Sequence, residues 1–364
     1  MNEVYFVRNV NVENFQKLLS KLDLDLDLFE KNNFVALKTH FGEEKCDTFI
    51  KPSLYLPIIK ILKDKKTLPF FTDTNTIYTG KRANAVIHLE LAHKHGFKFE
   101  SLGVPVIIAD GIKGNDYVEV EINLKYFKKA NIASNVYYAD NLICLTHFKG
   151  HMLFGFGGTI KNLGMGCAAR SAKYLLHNVL KPRFKVDKCI RCGKCIIYCP
   201  VDALKLDKLN KKIVFDVEKC VGCGECIHIC EQKVFQIPWD LSYKEVQERT
   251  VEYAYAVLKN KRNKCLFINF LLNITKDCDC INKKQTPILE NLGIVAGYDP
   301  VAVDFCSLNI VNTYLNKDIF KELWPEIDYS PQINYAVEIG LGKKEYQFYE
   351  LSHKLSRLLR DRRD

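Results

Sequence analysis

Two runs of four cysteines, Cys189, Cys192, Cys195 and Cys199, then Cys220, Cys223, Cys226 and Cys230, repeat the spacing C-x2-C-x2-C-x3-C and use eight of the chain's fifteen cysteines. Thiolates spaced this way ligate cubane iron-sulfur clusters: three come from one tight loop, and the fourth crosses to the neighbouring cluster. The spacing therefore predicts two [4Fe-4S] clusters. One would be held by Cys189, Cys192, Cys195 and Cys230, the other by Cys220, Cys223, Cys226 and Cys199. Gly193, Gly222 and Gly224 suit loops whose amides turn inward, because positive φ is cheap only for glycine. Pro200 follows the first run; Glu231 follows the second, so its exit turn is expected to differ while the ligand count is unchanged. Zinc is a rival for C-x2-C pairs, but a zinc site takes four ligands rather than two interlocked runs of four. Disulfides are disfavoured, because Met1 to Asn11 carries charge and no long apolar core, so no secretory leader is read there, and reducing compartments keep thiols free.

A second group of reactive types lies where apolar runs end. Five such runs finish in a titratable residue: His40, Asp73, Asp110, His147 and Asp299. In an open parallel sheet the C-terminal strand ends share one edge, where ligands bind, so these side chains are expected to converge. The plain reading is that strands acquire polar residues as they leave a core, and Asp299, followed by Pro300, also suits a helix N-cap. The richest segment is Thr146 to Arg170, T-H-F-K-G-H-M-L-F-G-F-G-G-T-I-K-N-L-G-M-G-C-A-A-R. Gly155, Gly157 and Gly158 would let amides line a concave anion nest, with Lys149, Lys161 and Arg170 neutralising phosphate or carboxylate. His147 and His151 stand four apart, but the glycines around them argue for a loop. The spacing fits neither the P-loop nor the dinucleotide fingerprint.

Lys38 and His40 would share a strand face, with Gly42, Glu43 and Glu44 opening a loop. Thr72 to Asn75 precede Arg82, placed in the first turn of a helix. Cys278 and Cys280 form a C-x-C pair in a polar loop, reactive or metal-binding, with only two ligands in view. Cys46, Cys144, Cys167, Cys265 and Cys306 read as buried small hydrophobes.

These groups need a scaffold, and the chain supplies one. Strands are expected at Val4 to Val7, Phe34 to Leu37, Leu68 to Phe71, Val104 to Ala109 and Asn141 to Leu145. Between them fall helices Ser53 to Leu62, after Pro52, and Arg82 to His95, stopped by Gly96. Beyond the cysteine runs and the hairpin-like Ala203 to Phe215 come helix Val251 to Lys259, strand Leu266 to Leu271, apolar Leu292 to Ala296 and helix Pro300 to Leu315. Such alternation predicts an α/β fold with a mostly parallel sheet flanked by helices. The expected division is 1–183 and 240–364 as two parts of one α/β domain, with 184–239 inserted as a small α+β ferredoxin-like unit; three domains in a row is the alternative. The alternation at Leu22 to Leu28 reads as a solvated turn or helix end.

At 364 residues and 48% hydrophobic content the chain can bury a sizeable core. No run approaches 18 uncharged apolar residues, so no membrane span is expected. The net charge of +10, from 53 basic and 43 acidic residues, is scattered apart from the tail Lys354 to Arg363. That excludes the concentrated stripe a nucleic-acid binder needs and suits an anionic ligand or an acidic redox partner.

Several phrases carry a resemblance. A-L-K-T-H-F-G at Ala36 to Gly42, T-D-T-N-T-I-Y at Thr72 to Tyr78, K-G-H with G-G-T-I-K-N-L-G-M-G-C up to Cys167, C-D-C at Cys278 to Cys280 and Y-D-P-V-A-V-D at Tyr298 to Asp304 resemble the uncharacterised iron-sulfur centre protein family, domain-of-unknown-function class 362, over roughly residues 34 to 310. The resemblance implies a cytoplasmic protein, in a family with many anaerobic members, with two ferredoxin-type clusters beside a domain of unassigned reaction. It also implies site roles for Lys38, His40, Asp73, Arg82, His147, Lys149, His151, Lys161, Asn162, Asp299 and Asp304. The glycine loop is loosely similar to the G-H-x-x-x-G-x-G-G-x-K segment of lactate-racemase-type proteins.

The expected function is a soluble iron-sulfur oxidoreductase passing single electrons between a donor such as a small ferredoxin and an anionic ligand beside Gly155 to Gly166. His40, His147 or His151 would supply protons, with Asp73 beside them, and Lys38, Arg82, Lys149, Gly157, Gly158, Lys161, Asn162, Asp299 and Asp304 would bind. A non-enzymatic carrier or redox sensor, and a racemase-like enzyme with structural clusters, are the alternatives.

Overall fold

The computed structural model describes the chain except residues 1, 23–27, 79, 178–182, 200, 208–211, 221–224, 237–241, 262 and 352–364. Most of the Leu22 to Leu28 stretch, Pro200, Gly222, Cys223, Gly224, Pro238, Trp239 and the basic tail therefore lie outside the described residues.

Eight strands form one sheet: β1 (Asn2–Arg8), β2 (Phe34–Lys38), β3 (Leu68–Asp73), β4 (Val106–Ile108), β5 (Asn141–His147), β6 (Cys265–Ile274), β7 (Leu289–Gly297) and β8 (Tyr346–Glu350). Their order is β8-β1-β7-β6-β5-β2-β3-β4. All neighbours are parallel except at β7, which runs antiparallel to both β1 and β6. The fold is α/β with a mostly parallel sheet. Strands from both sides of residues 184–239 share it, since β5 pairs with β6 from Leu142↔Cys265 to His147↔Phe270.

Among the described helices that accompany the sheet are α1 (Val12–Lys21), α2 (Leu56–Asp64), α3 (Ala85–Lys94), α4 (Thr159–Cys167), α5 (Arg170–Leu176), α6 (Tyr243–Lys259) and α7 (Pro300–Leu315). Side chains alternate across a strand, and β5 is buried along its whole length. Leu142 and Cys144 join a core with Ile160 of α4, Val251 and Ala254 of α6 and Val303 of α7. Ile143 and Leu145 point the other way, into a core with Phe15 and Leu18 of α1 and Ile58 and Leu62 of α2. A strand buried on both faces and paired on both edges has no freedom to shift by one residue, so its final residue, His147, is placed rigidly. β2 and β3 do the same for Lys38 and Asp73.

Helix Pro300–Leu315 spans the residues expected from sequence, capped by Asp299, which accepts from the amides of Val301 and Ala302. The helix expected over Arg82 to His95 starts only at Ala85. Asn84 is its N-cap, accepting from Ile87 N, so Arg82 lies ahead of the helix rather than in its first turn. Gly96 follows with φ +95°. Within the cysteine-rich segment, Leu204–Asp207 and Lys212–Phe215 pair antiparallel, as expected of a hairpin.

Candidate functional site

The parallel strands β2, β3, β5 and β6 end on one edge, and there a buried polar network gathers. Lys38, the last residue of β2, places Nζ 2.9 Å from Asp73 Oδ1 and 2.7 Å from Asn162 Oδ1. Asp73, the last residue of β3, takes Arg82 Nη1 at 3.3 Å on its other oxygen. Arg82 also bonds Glu43 Oε1 at 2.9 Å and the Tyr78 hydroxyl. Lys38, Glu43, Asp73 and Arg82 are all at most 2% exposed. Charges this deep persist only in pairs. Burial pushes the Asp73 carboxyl up, but the positive groups Lys38 and Arg82 overcome it and hold the group well below the usual carboxylate range.

Beside it lies a second network, anchored on a residue the sequence did not single out. Asp279, fully buried between the two loop cysteines, accepts from His147 Nδ1 at 2.7 Å, Lys149 Nζ at 3.1 Å and Thr48 Oγ1 at 3.1 Å. Its carbonyl accepts from Glu43 N, which ties the two networks together. His147 Nε2 bonds the Asn273 carbonyl, so both ring nitrogens are engaged within the protein and the ring serves as a fixed post. Lys161 Nζ, on the first turns of α4, lies 3.6 Å from Cys278 Sγ. Lys38, Arg82, Lys149 and Lys161 thus gather around Glu43, Asp73 and Asp279, with Cys278 beside Lys161. Hydrogen bonding from Cys280, against the desolvation of burial and with help from Lys161 and Lys149, keeps the Cys278 thiol well below its ordinary range.

His40 and His151 complete the pocket. His40 Nδ1 accepts from Gly42 N at 3.0 Å, and His151 Nδ1 accepts from Leu153 N at 3.1 Å. Burial, then the nearby Arg82, lowers His40 well below 6.5; burial, then Lys161, lowers His151 to about 4. Both are neutral at neutral pH and carry their proton on Nε2, which is left to donate a hydrogen bond.

Five expectations are corrected here. Asp299 does not join the edge: β7 is antiparallel, so its end lies across the sheet, where Asp299 caps α7, accepts from Lys343 N and lines a separate cavity of about 350 Å³. The anion nest is already filled. Asp304, fully buried on α7, accepts from Thr159 N at 2.6 Å and Ile160 N at 2.8 Å, and so closes the N-terminus of α4. Gly158 is glycine for the same reason, because a Cβ there would stand 2.3 Å from Asp304 Oδ1. Gly155 and Gly157 belong to a short hairpin, Lys149–His151 against Gly155–Gly157, rather than to a nest. Arg170 is buried and spends Nη1 on the Ala83 carbonyl. Asp110 is likewise internal: it accepts from the backbone and side chain of Asn75 and from Arg170 N, and burial pushes it up to about 6.

The cysteine-rich segment presents its own donor set. The sulfur-bearing residues Cys189, Cys192, Cys195 and Cys230 line one cavity of about 50 Å³ with Phe184, Val234 and Phe235. Three residues from the first run and the last of the second thus face a common space, the crossed combination that a cubane cluster requires. Gly193 adopts φ +74° and Arg191 φ +59°, turning the loop around that space. Cys199 Sγ accepts from Ala203 N and Cys230 Sγ from Val234 N, each four residues on, so the two runs close alike. Thiolate donors, loop amides and an apolar wall fit iron-sulfur clusters.

Residues 35–309 match the family described as Domain of unknown function (DUF362). The chain belongs to the DUF362 family. This DUF362 protein is also 57% identical over 30 residues to the pyruvate synthase subunit PorD of Pyrococcus abyssi, and to the same extent to PorD of Pyrococcus horikoshii and Pyrococcus furiosus. Each match covers 8% of the chain and 29% of the relative, so the DUF362 protein spans under a third of the length of these relatives. Among solved structures it is similar to the lactate racemase apoprotein of Thermoanaerobacterium thermosaccharolyticum, with TM-score 0.38, 14% identity and coverage of 74% of this chain and 50% of that one. A crystal structure of a Thermotoga maritima protein matches with TM-score 0.39, 11% identity and coverage of 86% and 59%.

Sequence reasoning passed over Asp279, Glu43, Tyr78 and His88 of the DUF362 protein. His88, on α3, is fully buried with its Nε2 3.9 Å from Asp73 Oδ2, and burial, opposed by Asp73, lowers it to about 3. The unfolded chain protonates His88 from about pH 6.5 downward, whereas the folded one does so only near 3, so stability falls as pH drops through that window, with a slope of up to about 1.4 kcal/mol per pH unit. His88→Leu is expected to flatten the acid limb by that amount when urea unfolding is followed between pH 4 and 7. An unchanged limb would refute the assignment.

Proposed function

We propose that this DUF362 protein is an iron-sulfur oxidoreductase that carries two [4Fe-4S] clusters in an inserted unit, residues 184–239, and holds an anionic small molecule at the strand-end edge. The observation that carries this reading is the meeting of Cys189, Cys192 and Cys195 with Cys230 around one cavity. When bound, such clusters supply one-electron chemistry. The chain's own residues supply the rest. Lys161 and Lys149 offer charge to the ligand, in place of helix amides that Asp304 already occupies. Lys38 and Asn162 hold each other in position behind them. His40 and His151, neutral and protonated on Nε2, donate hydrogen bonds that polarise an oxygen of the ligand, and the protons that reduction of an organic group needs come from solvent.

The cysteine-rich segment touches this edge. Ile227, next to Cys226, packs against Ile77 and Tyr174, with Tyr78 alongside, and the Tyr78 hydroxyl accepts from Arg82 of the Asp73 network. Lys113 also lies 5.1 Å from the Tyr198 ring, beside Cys199. The net charge of +10 suits an acidic one-electron donor such as a small ferredoxin.

Anaerobically purified protein is expected to hold about eight irons and eight acid-labile sulfides and to bleach with dithionite. Lys161→Met should retain that iron and bleaching. Its affinity for whichever small carboxylates or phosphates stabilise the wild type in a thermal-shift panel should fall by about tenfold or more, the loss of one charge-assisted contact. Iron absent from the wild type, or equal ligand stabilisation in both proteins, would sink the proposal.

A further inference from the structure

The loop after β6 brings two sulfurs and an imidazole together: one donor atom each from His151, Cys278 and Cys280 falls within 4.8 Å of the others. Cys278 is buried, 4% exposed, whereas Cys280 is half-buried. The two sulfurs lie within 4.8 Å of each other, and Lys161 Nζ stands 3.6 Å from Cys278. Asp279 between them is locked by His147, Lys149 and Thr48, so the loop presents both sulfurs from a fixed backbone.

A metal ion is one occupant for such a trio, but the histidine is in the wrong form. Its Nδ1 already accepts from Leu153 N, so the neutral ring keeps its proton on Nε2, the nitrogen left to face Cys278. A metal bound there would need Nε2 bare and the proton on Nδ1, against the Leu153 amide. His151 instead donates towards sulfur, as Lys161 does. Two donors aimed at one sulfur, with a second sulfur within 4.8 Å, describe a thiolate held ready to attack its neighbour.

We propose that Cys278 and Cys280 form a redox-active dithiol that closes to a disulfide by exchange with a low-molecular-weight disulfide. Cys280, the more accessible sulfur, loses its proton to solvent and attacks one sulfur of the small disulfide RSSR, giving Cys280–S–SR and RS⁻. Cys278, as the thiolate, then attacks Cys280 Sγ; the Cys278–Cys280 bond forms, the S–SR bond breaks, and the second fragment leaves as RS⁻, which takes its proton from solvent. The dithiol has lost two electrons, and the small disulfide has become two thiols. Lys161 and His151 stabilise Cys278 as the attacking thiolate in the second step. The inference shares Lys161 with the proposed pocket and does not depend on the clusters. Two one-electron transfers would reopen the pair, and only that return path rests on the iron-sulfur reading. The Tyr78 hydroxyl, which touches Arg82, is near enough to Cys280 for their charges to interact, which sets the pair at the end of the Ile227–Tyr78 contact.

The test treats anaerobic holoprotein with glutathione disulfide, alkylates the remaining thiols and maps the peptides by mass. The wild type should yield a peptide containing Cys278 and Cys280 that is two hydrogens lighter and unalkylated. Cys278→Ser should trap Cys280 as its glutathione mixed disulfide, a gain of mass that a misfolded chain with all thiols open would show indiscriminately and a folded one shows at Cys280 alone. Lys161→Met should slow closure at pH 7 by about tenfold or more. A wild-type pair that stays alkylatable overturns the proposal, as does a pair shielded by one equivalent of zinc released on alkylation. Iron measured on the same samples separates the two readings: closure without iron removes the cluster assignment alone, and full iron without closure removes the dithiol alone.

Discussion

Cys230→Ser is expected to cost about four of about eight irons, and the four lost should be those held by the first cysteine run. The sequence places Cys230 in the second run, but in the fold it shares a cavity with Cys189, Cys192 and Cys195, and Cys195 feels the charges of those three residues together. Double variants make the prediction sharp. Adding Cys195→Ser to Cys230→Ser should remove no further iron, because both strip the same site, whereas adding Cys226→Ser should empty the protein. Iron and sulfide analysis of anaerobically purified variants reads this directly. If the first pair loses all iron and the second pair only half, the crossing is wrong and each run serves its own cluster.

Asp73→Asn is expected to destabilise the protein by about 3–5 kcal/mol, the typical cost of breaking a buried ion pair by removing one partner. Asp73 stands between Lys38 at 2.9 Å and Arg82 at 3.3 Å, and all three are almost fully buried. An amide keeps the shape but leaves Arg82 with Glu43 and Lys38 with only the neutral Asn162 and Thr39 oxygens. The expected companion is partial rescue by Lys38→Met, which removes one of the stranded charges; the single and double variants form a cycle with a coupling of about 1 kcal/mol or more. Urea unfolding supplies the numbers. A loss below about 1 kcal/mol in Asp73→Asn would mean that water reaches the network and that the pairing contributes little.

The elements of the fold were largely legible because their signals are local. A proline at the first helical position and a carboxylate before it mark the start of Pro300–Leu315, and a glycine at φ +95° marks the stop after α3. Arg82 lies ahead of its helix because Asn84, two residues on, carries the cap. Direction was not legible at all. Nothing in Leu289–Gly297 distinguishes an antiparallel strand from a parallel one, so Asp299 was grouped with side chains that lie across the sheet from it. At the site, Lys38, Asp73 and His147 could be found because each terminates an apolar run. Asp279 and Glu43 could not, because their roles depend on loops from distant parts of the chain meeting, as in the bond from Glu43 N to the Asp279 carbonyl. The glycines of the Thr146–Arg170 segment were read as room for a ligand. Gly158 instead makes room for Asp304, a carboxylate 146 residues further along the chain.

The partnership of β5 with β6 sets a condition on synthesis. β5 is buried on both faces, and one of its edges is satisfied only by β6, which leaves the ribosome after the whole cysteine-rich stretch has been made. Throughout that interval the nascent chain carries an apolar strand with open amides along one side, a template for pairing with other chains. Delay within residues 184–239 lengthens that exposure, so starvation for whatever those cysteines bind should be felt first as aggregation of the newly made protein.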